Sequence, residues 1–130
     1  MYFKITVNRS SYPMASTSLL LNHLRKVVQS KENFPIGVLT YFGPDTQTIS
    51  KIVAVVIPSH EATPILRRWQ GPEIASDPKA AFEIGKFLKE QKVLEVVMAE
   101  GVIGCPHEEG IDYPEGETCP HCPFWSNQAL

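Results

Sequence analysis

The stretch from Gly104 to Trp125, GCPHEEGIDYPEGETCPHCPFW, contains all three cysteines of the chain and two of its four histidines, but no lysine or arginine. Cys119 and Cys122 form a Cys-x-x-Cys arm, in which one tight turn brings two thiolates to a single ion. Cys105 and His107 form a second, Cys-x-His arm, eleven residues earlier. Three sulfurs and one imidazole are the donor set of a tetrahedral structural zinc site, so Cys105, His107, Cys119 and Cys122 are the expected Zn2+ ligands. His121, inside the Cys-x-x-Cys turn, is the alternative fourth ligand, although a side chain at that position usually points away from the ion.

Other uses of these residues fit the pattern less well. A redox Cys-x-x-Cys opens a long helix in a thioredoxin-like fold, whereas here Pro123 follows the second cysteine directly. An iron-sulfur cluster prefers four thiolates. The enzymatic alternative is a zinc hydrolase or deaminase-like site, because His107-x-Glu109 followed by Cys-x-x-Cys has the written form of the deaminase signature, with Glu109 as the proton shuttle. Only nine residues separate Glu109 from Cys119, too few for the elements between those motifs in a deaminase. Cys105 would also fill the position that a catalytic zinc leaves open for water.

The charge distribution bears on partners. Residues 1–97 carry twelve basic and eight acidic groups, whereas residues 98–130 carry six acidic groups and no basic one. Nucleic-acid binding draws on cations that release phosphate counterions, so this anionic segment is poorly suited to it. A weaker route to single-stranded nucleic acid is the basic body with Trp69. The carboxylates Glu108, Glu109, Asp112, Glu115 and Glu117 read as a solvated loop or as a surface for a basic partner. Ile111, Tyr113, Phe124 and Trp125 read as packing over the site.

The remainder of the chain must position this segment. Tyr2 to Val7 reads as a strand, and Leu20, Leu21, Leu24, Val27 and Val28 recur at helical spacing after a cap at Ser16 or Thr17. Strands are expected over Ile36–Phe42, in SKIVAVVIP and in PILRRWQG, where alternation puts Arg67 and Trp69 on one face and Arg68 on the other. A second helix begins at Ser76 or Asp77 with Pro78 in its first turn and carries a stripe of Ala81, Ile84, Phe87 and Leu88. VLEVVMA is the last strand.

The expected fold is α+β, in the order β-α-β-β-β-α-β. Two helices pack on one face of a mixed sheet of about five strands, with residues 1–100 as the body and 101–130 as a metal-binding lobe of the same domain. The uncovered face of SKIVAVVIP would favour a homodimer. A 130-residue chain with 43% hydrophobic residues, no secretion signal, no apolar run of membrane-spanning length and an odd cysteine count reads as a cytoplasmic globular protein. The functional expectation is a binding or adaptor module with an unknown protein partner.

Overall fold

The computed structural model describes residues 2–5, 24, 28 and 31–126. Its strands are β1 (Tyr2–Ile5), β2 (Ile36–Phe42), β3 (Lys51–Ile57), β4 (Ile65–Gln70) and β5 (Glu95–Gly104). They form one mixed sheet in the order β1-β5-β2-β3-β4. β5 runs parallel to β1 and β2, whereas β2-β3 and β3-β4 are antiparallel. Helix α1 (Pro78–Glu90) links β4 to β5, and a single helical turn, α2 (Pro123–Ser126), follows Cys122. The architecture is α+β.

β3 is buried along its whole length, as expected for an apolar strand flanked by β2 and β4 and covered on both faces. Ile52, Ala54 and Val56 pack against Ile84 and Phe87 of α1, while Val53, Val55 and Ile57 pack with Leu24 and Val28 on the other face. Of the expected first helix, only Leu24 and Val28 fall among the described residues, joined by a Val28 N to Leu24 O hydrogen bond of 3.0 Å. These two residues lie opposite α1, which corrects the expectation of helices on a single face. A strand apolar on both faces needs cover on both. The bare sheet face that suggested a homodimer is therefore absent from β3.

α1 begins as its sequence implies: the Asp77 carboxylate accepts a hydrogen bond from Lys79 N at 2.9 Å, and Pro78 occupies the first turn. Ala80, rather than Ala81, joins Ile84 and Phe87 in the buried stripe, since positions 80, 84 and 87 follow helical spacing on one face.

The last strand runs past the expected end at Ala99 to Gly104. Three steps along β2, from Leu39 to Phe42, match six along β5, from Met98 to Gly104. The additional residues make an irregular bulge containing the exposed Glu100 and Gly101. Bulges bend a strand and re-aim the chain beyond them. This one brings the end of β5 beside the end of β2, where Gly43 N donates to Gly104 O at 2.9 Å. Gly43 itself is required by the loop, because a Cβ at this position would lie 1.6 Å from Thr48 O.

Candidate metal centre

Cys105 directly follows β5, so the sheet fixes the first arm. Its Sγ lies 3.3 Å from His107 Nδ1 and 3.4 Å from Cys119 Sγ. Cys122 Sγ lies 3.4 Å from His107 Nδ1. The donor atoms of Cys105, His107, Cys119 and Cys122 all fall within 4.8 Å of one another. Donors around a tetrahedral ion with metal–sulfur bonds of ~2.3 Å and metal–nitrogen bonds of ~2.0 Å are about 3.5–3.8 Å apart. The spacing fits, and the cluster can hold a metal ion.

The loop between the arms is built from turns. Gly110 and Gly116 have φ of 83° and 87°, the left-handed region in which a side chain is strained. Gly110 N donates to Tyr113 O at 2.8 Å, and Gly116 N donates to the Glu109 carboxylate at 2.6 Å. Val102, Tyr113 and Trp125 pack with the three cysteines in a small cluster of their own, with Phe124 half-buried beside it. Trp125 also ties the second arm to the body, its indole N–H donating to Gly43 O at 2.6 Å. Ile111 departs from its expected packing role: it is 69% exposed, at the outside of the turn in which Ile111 N and Asp112 N both donate to Glu108 O.

Electrostatics explain why such a cluster suits a cation. Burial pushes the Cys105 thiol well above its ordinary value, with Cys122 and Cys119 acting in the same direction and a hydrogen bond from His107 N opposing them. Burial raises Cys122 as well. It also lowers His107, and neighbouring His121 adds to that effect. Burial, followed by the charges of Cys105 and Cys119, pushes the Tyr113 phenol up to about 12. The protein alone thus favours the neutral forms of Cys105, Cys122 and His107. A divalent cation reverses this preference, because coordination deprotonates a thiol outright and stabilises its thiolate.

His121 stands apart from the four gathered donors. It is exposed, and its ring centroid lies 4.9 Å from that of His107. Glu109 is outside the cluster too, one of its carboxylate oxygens accepting from Gly116 N. Among the described residues the helix after Cys122 covers Pro123–Ser126, with proline directly after the second cysteine.

The sequence reading missed the support beneath the site. Glu108, expected in a solvated or partner-facing loop, is buried. Its Oε2 accepts from Lys51 Nζ at 2.6 Å and from Arg68 Nε at 2.5 Å, and its Oε1 accepts from Arg68 Nη2 at 2.8 Å. Lys51, 2% exposed, also donates to Pro106 O at 2.9 Å. A lone lysine opening an apolar strand was the only available signal, and it does not name its anion. On the other side of β4, Trp69 is buried under Arg67, donates to Glu83 at 3.0 Å and contacts the Phe87 ring. This placement withholds its face from a nucleic-acid base.

Searches against protein-family models, curated proteins and solved structures find no match to the chain. Among the described residues, no helix is long and apolar enough to cross a membrane.

Proposed function

We propose that this protein is a zinc-binding module in which Cys105, His107, Cys119 and Cys122 hold one structural Zn2+, and that the ordered lobe serves a binding or adaptor role toward another protein. The observation that carries the reading is the convergence of four donors, from two separate arms, within 4.8 Å. Three thiolates favour a soft or borderline ion such as zinc over calcium or magnesium, which take oxygen ligands. Four protein donors complete a tetrahedral shell, which is the mark of a structural rather than a catalytic zinc.

The hydrolase or deaminase-like alternative draws no support from the surroundings of the cluster. It needs an open coordination position, whereas Cys105 adds a fourth protein donor to the cluster. The binding role is supported by the exposed carboxylates of Asp112, Glu115 and Glu117 beside the exposed Ile111, a surface whose charge suits a basic partner.

Cobalt substitution tests the coordination. Co2+ should give thiolate-to-metal absorption and the intense visible bands of a tetrahedral ion, unchanged in His121→Ala and altered in His107→Ala. Weak bands of a six-coordinate ion, or exchangeable water on the metal, would overturn the closed-site reading.

A further inference from the structure

We infer that Lys51, Arg68 and Glu108 form a positioning triad for the proposed metal site, setting metal affinity from the sheet without contributing a ligand. This inference rests on the zinc reading above. Its basis is geometric. Glu108 immediately follows the His107 ligand, and its carboxylate is fixed on both oxygens, by a forked pair of bonds from Arg68 and by the Lys51 ammonium. The same ammonium donates to Pro106 O, the carbonyl between Cys105 and His107. One buried lysine therefore grips the first arm on both sides of His107.

The sheet register makes this grip rigid. Val53 is paired with Arg68 across β3 and β4, and Lys51 lies two residues from Val53 on the same face. The two cations are thus neighbours on a hydrogen-bonded ladder, not on loops of their own. Glu108 N in turn donates to Asp112 at 2.7 Å, which extends the grip into the loop between the arms.

The group is balanced in charge, Lys51 and Arg68 facing the carboxylates of Glu108 and Asp112, so its effect on the metal is one of ligand orientation. Groups behind the ligands commonly set metal affinity by 10- to 100-fold, because they fix ligand orientation before the ion arrives.

The test measures zinc affinity by competition with a chromophoric chelator for the full chain and for Glu108→Gln, Lys51→Met and Arg68→Lys, with far-ultraviolet dichroism confirming that each is folded. Each variant should bind zinc at least about tenfold more weakly and should shift the visible bands of the cobalt form. Arg68→Lys retains the charge but loses the fork, and its partly exposed position makes it the variant best able to fold if Lys51→Met does not. Ile84→Val, which lightens the core under α1, controls for lost stability and should retain the parent's affinity.

Equal affinity in a folded Arg68→Lys or Glu108→Gln would overturn the triad while leaving the zinc site intact. An affinity loss matched by Ile84→Val would also overturn it, reducing the triad to general stability. A parent protein that binds no zinc would remove both readings together.

Discussion

The sheet body and the metal lobe reach order by different means. β3 contributes seven consecutive buried residues, most of them Val or Ile, between two faces that are both covered. Complete burial of each such side chain contributes roughly 1.5–3 kcal/mol, so the strand is held by many small and redundant contacts. The lobe buries Val102, Tyr113 and Trp125 around three thiols, and otherwise relies on a few specific bonds. Loss of one methylene is tolerated where contacts are redundant. Loss of one donor is not tolerated where four must converge. If the lobe holds zinc as proposed, the body should fold without metal, whereas the segment from Glu108 to Thr118 should need the ion to offset its chain entropy.

The largest effect should come from the body. Ile36→Ala removes a fully buried side chain between β5 and β3 and should cost about 2–5 kcal/mol, read as a lower chemical-denaturation midpoint. Metal retention in the folded fraction should stay close to the parent's. A variant that folds normally and loses only metal would reverse the proposed division of labour.

Cys119→Ser, or a strong chelator at neutral pH, should abolish stoichiometric zinc while most far-ultraviolet dichroism persists. Amide exchange would then quicken over residues 105–125 and remain slow in β2 and β3. Collapse of the whole spectrum would show that lobe and body are one cooperative unit.

Trp125→Phe keeps much of the apolar bulk but leaves Gly43 O without its indole donor. An unpaired buried acceptor costs about 1–3 kcal/mol, and the cost should appear as looser docking of the lobe, with faster exchange at Gly43 and around Cys122. Unchanged exchange there would remove this bond from the account.

The smallest effect concerns the opposite end of the sheet. Bonds from Lys31 and then Asn33 hold the buried Glu95 carboxyl below its ordinary value of 4.5, against burial. With the folded value depressed, the unfolded chain binds the proton more readily. The contribution is therefore present above about pH 4.5 and is lost as pH falls through the folded value. Glu95→Gln should flatten the acid side of the stability profile. A profile identical to the parent's would show that this pair contributes nothing.

The parts legible in the sequence were those governed by local periodicity. Ile36–Phe42 and the apolar core of SKIVAVVIP were visible because unbroken runs of branched residues have few alternatives. The start of α1 was visible because a cap and a proline act within one turn. The two arms of the metal cluster were legible because ligand spacing reflects chemistry rather than topology. Long-range pairing was hidden. Nothing in the strand LRRWQ states that Arg68 meets Glu108 forty residues later, and nothing in GVIG states that β5 continues through a bulge to Gly104. Helix placement failed for the same reason: an apolar stripe shows that a face is covered, but not which face of the sheet covers it.

Whether the lobe holds zinc is decided by the metal content of the native protein, determined by elemental analysis together with the reactivity of its three thiols. About one zinc per chain is expected, with Cys105, Cys119 and Cys122 protected until a chelator is added. A metal-free native protein with all three thiols reactive would contradict it.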